Sequence, residues 1–314
     1  MEYRTLGKTG LKVSAIGVGC WQMGGMVNGA GWTGTTDAES IATIHRAGDL
    51  GVNLLDTAEG YGAGHSEEVL GKALQGRRDQ FIIASKVRPI TDDPDEKKAR
   101  DRIVTACQGS LQRLQTDHID VYQLHAVPHE QTMPVVMETL AGLKEQGKIR
   151  WFGISTNDAD AVRKLLALGE ISMIQVGFNL LARSGEDALK LAREENLGTL
   201  IRVPLASGAL SGNYFDNNDQ LDANDRRQDR FGSEKARATF QKLSELRFLT
   251  EGGRRTMTQA ALRFLLDTPG VTAPIPGAKN RQQLEDNIAA ASVPALSEAE
   301  RARAMAIADA TAGF

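Results

Sequence analysis

The chain has 314 residues, of which 41% are hydrophobic and 25% charged, and its net charge is −3. This is the composition of an ordinary globular protein with room for one large α/β barrel, and two cysteines, Cys20 and Cys107, exclude a disulfide framework and fit a reducing compartment. The basic pairs Arg226-Arg227 and Arg254-Arg255 are isolated, which excludes a nucleic-acid footprint, and no apolar stretch reaches the roughly 18 residues of a membrane span.

The first predicted element is a hairpin over 3–13. Tyr3-Arg4-Thr5-Leu6 and Leu11-Lys12-Val13 flank a turn at Gly7-Lys8-Thr9-Gly10, and the pair is expected to close the floor of a barrel. The start, Met1-Glu2-Tyr3-Arg4, has no basic head before an apolar block, so no secretory signal is expected and the cytoplasm is the expected location. Eight short apolar runs follow as predicted strands, at 15–19, 53–56, 81–85, 119–124, 148–154, 173–176, 199–203 and 271–276. Runs this short and continuously apolar suit strands buried on both faces, as in a parallel sheet. Amphipathic segments separate them; Ile103, Cys107, Leu111 and Leu114, for example, fall on one helical face. Thr36-x-x-Glu39, Thr256-x-x-Gln259 and Ser297-x-x-Glu300 read as capping boxes, Pro134 as a first helical position, and Gly51 and Gly147 as helix ends. The polar stretch 217–230, in a long interval before the last strand, is expected to be a lid or cofactor clasp, disorder being the alternative. Strict alternation with eight strands favours a closed (β/α)₈ TIM barrel over an open doubly wound sheet, with 1–314 as a single domain.

Active sites of such barrels lie at the C-terminal ends of the strands. The second predicted strand ends at Asp56, the third at Lys86 and the fourth at His125, and Tyr61 lies in the loop after Asp56. Each has an ordinary reading: Asp56 as a helix cap, Lys86 as a rim lysine, Tyr61 as packing, His125 as a core histidine. Together they make a chemical set. A lysine ammonium near a phenol favours the phenolate and lowers the pKa of the tyrosine, a carboxylate holds the lysine, and an imidazole donates a hydrogen bond to a carbonyl oxygen. The set lacks a hydride source, so it calls for a nicotinamide cofactor.

Asp56-Thr57-Ala58-x-x-Tyr61, Ala84-Ser85-Lys86 and Asp120-x-Tyr122-x-Leu124-His125 resemble the catalytic signatures of the aldo-keto reductases. Gly153-Ile154-Ser155, Ile174-Gln175-x-x-x-Asn179, Pro204-Leu205-Ala206-Ser207-Gly208 and Pro276-Gly277-Ala278-Lys279 extend the resemblance from about Tyr3 to Asn287. The resemblance implies reduction of a small-molecule carbonyl substrate by NADPH, with Tyr61 as general acid tuned by Lys86 and Asp56, and His125 orienting the carbonyl. It implies Ser155, Thr156 and Gln175 at the nicotinamide carboxamide, with Asn157 as an alternative to Thr156. Arg202, Val203, Pro204, Leu205, Ala206 and Ser207 would line the nicotinamide and pyrophosphate, Arg202 replacing the aromatic platform of many relatives. Gly277, Lys279 and Gln283 would receive the 2′-phosphate, and Asp286 and Asn287 the adenine. Lys279 and Arg281 also read as ordinary surface charges. Trp21, beside cofactor and substrate, and Trp32 would wall the substrate pocket, structural aromatics being the alternative. The glycines at 60, 62 and 64 lack the spacing of a dinucleotide fingerprint and read as a flexible rim beside Tyr61. Pro128 prevents one helix from presenting both His125 and His129, so no metal is expected.

Two rival readings stay open. A regulatory cofactor-binding module of the potassium-channel β-subunit type shares this resemblance, although such proteins usually carry Asn where this chain has His125. A Schiff-base aldolase would use Lys86 as nucleophile. Substrate identity and oligomeric state are left open, a homo-oligomer being one alternative.

Overall fold

In chain order the strands are β1 (Tyr3–Thr5), β2 (Lys12–Ser14), β3 (Val18–Gly19), β4 (Met26–Val27), β5 (Ala30–Gly31), β6 (Leu54–Asp56), β7 (Ile82–Val87), β8 (Ile119–Leu124), β9 (Ile149–Ser155), β10 (Met173–Gly177), β11 (Gly198–Arg202) and β12 (Ala273–Pro274). This computed structural model describes residues 1–27, 30–216, 221, 225 and 227–311. β3 and β6 to β12 form one parallel eight-stranded sheet in sequence order, with at least one helix after each strand.

The seam between first and last strands closes the barrel through backbone chemistry. Pro274 and Pro276 have no N–H to give, but their carbonyls accept from Gly17 N and Gly19 N, both at 3.0 Å, and Gly19 bridges Gly277 in parallel. The same prolines explain why β12 is shorter than the predicted run 271–276. The architecture is thus the (β/α)₈ barrel expected from the alternation.

Side chains alternate across a strand, so every second residue points into the barrel. Leu54, Ala84, Val121, Met173, Leu200 and Ala273 form one small buried cluster there, completed by Leu6 and Val13 from the hairpin β1–β2. The hairpin pairs Arg4 with Val13, and Gly7 bridges Leu197 just before β11. A Cβ on Gly198 would lie 2.5 Å from Leu6, so glycine there admits the plug. Two residues further along β6, β7, β8, β10 and β11 the inward positions become polar, at Asp56, Lys86, Gln123, Gln175 and Arg202, whereas after Ala273 the apolar Ile275 follows. The apolar layer is a floor, and the polar layer above it is the candidate site.

Most local signals resolve as expected. Thr256–Gln259 and Ser297–Glu300 form complete capping boxes, and Gly51 and Gly147 follow helix ends with φ of 82° and 71°. Pro134 is the second residue of the helix Met133–Glu145, one position later than expected, still within the first turn where a missing N–H costs nothing. Thr36 differs: its hydroxyl accepts from Glu39 N, but the Glu39 carboxylate turns to Arg281, so the box is half made. A cation on a neighbouring helix outcompetes the local backbone. Of the stretch 217–230, residues 217–220, 222–224 and 226 lie outside the described residues.

Candidate active site

Lys86 is fully buried on β7, and its ammonium has three partners: Asp56 Oδ1 at 2.5 Å, the Thr57 carbonyl at 2.8 Å and Tyr61 Oη at 3.3 Å. A buried charge is tolerable when paired and hydrogen-bonded in this way. Asp56 Oδ2 in turn accepts from Gln175 Nε2 at 2.7 Å and from Gln123 Nε2 at 3.3 Å. Two carboxamides from the barrel wall therefore fix the carboxylate, which fixes the lysine, which faces the phenol. Gln123 was not singled out in the sequence, although its place two residues beyond inward-facing Val121 marks it as part of the polar layer.

Tyr61 is held from behind. Its N–H donates to Ala58 O at 3.0 Å, and its carbonyl accepts from Ser66 N at 3.2 Å. Gly62 has a φ of 63°, and a Cβ there would sit 2.1 Å from Gly24 O. Within the glycine rim, Gly62 is thus pressed against the turn Trp21–Gly24, because glycine alone permits that approach, whereas a Cβ on Gly60 would meet nothing within 4 Å. Trp21 stacks on Tyr61 with ring centres 5.7 Å apart, Trp32 meets Trp21 edge-on at 5.5 Å, and His125 meets Tyr61 edge-on at 5.8 Å.

The electrostatics differ from the sequence expectation at Tyr61. Burial raises its pKa more than the Lys86 charge lowers it, so the net direction is upward from the ordinary phenol value. The expected lowering by Lys86 is present, but it loses to desolvation. Burial also disfavours charge on Lys86, yet Asp56 and Tyr61 outweigh it and the net pKa is raised. His125 goes the other way: burial, then the charges of Lys86, Arg202 and Arg88, lower it to about 4. At neutral pH the site therefore holds a protonated phenol, an ammonium and a neutral imidazole.

Asp56, Tyr61 and His125 open into a cleft of about 830 Å³, with Lys86 buried outside its lining. Of the predicted residues, Trp21, Trp32, Asp56, Tyr61, His125, Arg202, Val203, Pro204, Leu205, Ser207, Gly277, Lys279, Gln283, Asp286 and Asn287 line it. Ala206 is buried outside its lining, and so are Ser155 and Gln175, whose side chains meet at 3.5 Å. Thr156 is half-buried, and its hydroxyl accepts from Asp158 N at 3.1 Å. Asn157 braces Gly177 through both its amide nitrogen and oxygen and accepts from Arg202 Nη2 at 3.2 Å.

Val203, Ala206 and Ser207 all have positive φ, at 55°, 49° and 60°. Left-handed backbone is uncommon for such residues, and most of all for β-branched valine. Two of the three, Val203 and Ser207, line the cleft, and backbone strain of this kind clusters at ligand sites. Arg227 was missed because only folding places it here. Its guanidinium pairs with Asp225, donates to Ser207 O at 3.1 Å and lies 5.3 Å from the Trp32 ring centre. Asp225 Oδ2 is in turn 3.8 Å from Lys279 Nζ. The described part of 217–230 thus links the 203–207 loop to Lys279 across the cleft. Gln283 Oε1 accepts from Lys279 N at 2.9 Å, and Asn287 Nδ2 donates to Gly277 O at 3.2 Å.

A family model for the aldo/keto reductase family matches residues 15–309. The chain belongs to this family. It is therefore an oxidoreductase of a family that acts on small-molecule carbonyl compounds. The chain is 35% identical to aldo-keto reductase YhdN of Bacillus subtilis over 91% of its own length and 87% of that protein. It is 31% identical to the NADH-specific methylglyoxal reductase of Escherichia coli, over 96% of each. Among solved structures, an aldo-keto reductase from Klebsiella pneumoniae in complex with NADPH superposes with a TM-score of 0.75 at 27% identity, covering 97% of this chain and 94% of that one. Among the described residues no helix is long and apolar enough to cross a membrane.

Proposed function

We propose that the chain, acting as a single domain in the cytoplasm, reduces aldehydes, ketones or dicarbonyls to alcohols with NADPH, Tyr61 serving as general acid. The observation that carries this reading is the Asp56–Lys86–Tyr61 chain of contacts, at 2.5 and 3.3 Å, facing His125 in an open cleft.

The residues fit a dinucleotide. The cleft is lined by Tyr61, by the 203–207 segment with its left-handed Val203 and Ser207, by Asp286, and by Lys279, which offers a cation. A bound reduced nicotinamide supplies the hydride. The rest is work for the protein's own side chains. A neutral His125 donates a hydrogen bond to the substrate carbonyl oxygen and polarises it. Tyr61 Oη, protonated at neutral pH, gives its proton to that oxygen as negative charge develops there. Lys86 stabilises the phenolate left behind, and Asp56, held by Gln175 and Gln123, keeps the ammonium in place. Lys279 as the partner of a 2′-phosphate supports NADPH, as does the NADPH complex of the Klebsiella relative.

Tyr61→Phe tests the assignment. It removes the proton and little volume, so turnover of 4-nitrobenzaldehyde is expected to fall about 100- to 10,000-fold while NADPH binding persists. A Tyr61→Phe variant with wild-type turnover refutes the acid role. Absence of turnover in the wild type itself, with tight NADPH binding, would favour the regulatory-module reading.

A further inference from the structure

At the catalytic end of the cleft, charge does not balance. The acids there are Asp56 and Glu59, and both are compensated. Asp56 pairs with Lys86, and Glu59 forms an ion pair with Arg102 while also accepting the Arg88 backbone N–H at 2.9 Å. Two guanidiniums line the same end, Arg88 and Arg202. Among the described residues neither has a carboxylate partner; Arg202 has only the neutral Asn157 oxygen, and the Arg88 side chain has no hydrogen-bond acceptor. Arg88 is exposed, lies two residues beyond Lys86, and is near enough to His125 for its charge to act on the imidazole.

Its place in the barrel separates Arg88 from the proposed dinucleotide wall. That wall is carried by the loops after β11 and β12, whereas Arg88 follows β7, between β6 and β8 in the sheet. A cation there lines the cleft together with Tyr61 and His125. Guanidinium presents a rigid fork of donors that matches carboxylate or phosphate oxygens two at a time.

We propose that the substrate of this cleft carries an oxyanion, carboxylate or phosphate, besides its carbonyl, and that Arg88 is the specificity residue that receives it, with Arg202 adding to the positive field. The inference rests on the reductase reading and narrows its substrate class.

The test compares benzaldehyde with 4-formylbenzoate and 4-formylphenyl phosphate, read as ratios of kcat/KM. A charge-assisted hydrogen bond predicts a preference of about 10- to 100-fold for one or both anionic aldehydes, and the preferred one identifies the oxyanion. In Arg88→Met the ratio is expected to collapse through KM, and Arg88→Lys should restore part of it. The wild-type preference should also shrink at near-molar salt, where the screening length falls to about 3 Å; this reading stands if Arg88→Met does not fold. Equal kcat/KM for all three aldehydes, or an Arg88→Met variant with an unchanged ratio, overturns the proposal. If no aldehyde is turned over, the reductase reading fails, and calorimetry decides this inference separately. Binding of 4-formylbenzoate or 4-formylphenyl phosphate that exceeds that of benzaldehyde and is lost in Arg88→Met upholds it, and equal binding overturns it.

Discussion

Lys86→Met would expose the cost of the buried charge directly. The substitution removes an ammonium that is fully buried and satisfies three acceptors, and replaces it with an apolar side chain of similar length. Asp56, itself 2% exposed, is left with only Gln175 and Gln123 as donors. Breaking a buried ion pair from one side typically costs about 3–5 kcal/mol, because the remaining charge is uncompensated. The Thr57 carbonyl also loses a partner, while the two carboxamides soften the loss at Asp56, so about 4 kcal/mol is expected. At ~2.1 cal/mol/K per residue, 314 residues give an unfolding entropy of about 0.7 kcal/mol/K, so the midpoint should fall by about 6 °C. Urea and thermal unfolding of the single variant and of Lys86→Met with Asp56→Asn would measure it. The double variant removes both charges and should recover at least half of the loss. A single variant as stable as wild type, or a double variant less stable than the single, would refute this account of the pair.

The pH profile of reduction follows from the two shifted groups. Tyr61 must be protonated to act as acid, and burial raises its pKa above the ordinary phenol value, so kcat/KM should hold through neutral and mildly alkaline pH and decline only in strongly alkaline solution. His125 is neutral above about 4, so the acid limb should lie near there rather than near its ordinary 6.5. A decline that begins below pH 8 would contradict the burial of the phenol. Lys279→Ala should weaken NADPH binding by about 10-fold or more while leaving NADH within about 2-fold, as fluorescence titration would report. Equal losses for the two cofactors would remove Lys279 from the 2′-phosphate.

Much of the fold was legible because parallel strands buried on both faces write themselves as short apolar runs. Asp56, Lys86 and His125 could be placed at one mouth because a barrel points all its strand ends the same way. Period-two spacing even marks the polar layer: Asp56, Lys86, Gln123, Gln175 and Arg202 each stand two residues after an apolar residue that faces inward. Gln123 was overlooked there because an isolated Gln in an apolar run carries no chemical signal until its neighbour across the barrel is known. Thr36–Glu39 read as a complete capping box because sequence neighbours show nothing of Arg281, which lies far along the chain.

By itself the sequence determined the alternation of strands and helices, the hairpin that plugs the floor and the residue types at the strand ends, since these depend on local periodicity. Tertiary structure alone decided which way the Tyr61 proton equilibrium moves, because burial and a lysine charge act in opposite senses and only packing sets their balance. It also decided that Asp225 and Arg227 reach Ser207 and Lys279, and that Arg88 and Arg202 share one end of the cleft without a counter-charge among the described residues. Those contacts join segments whose separation along the chain says nothing of their distance in space.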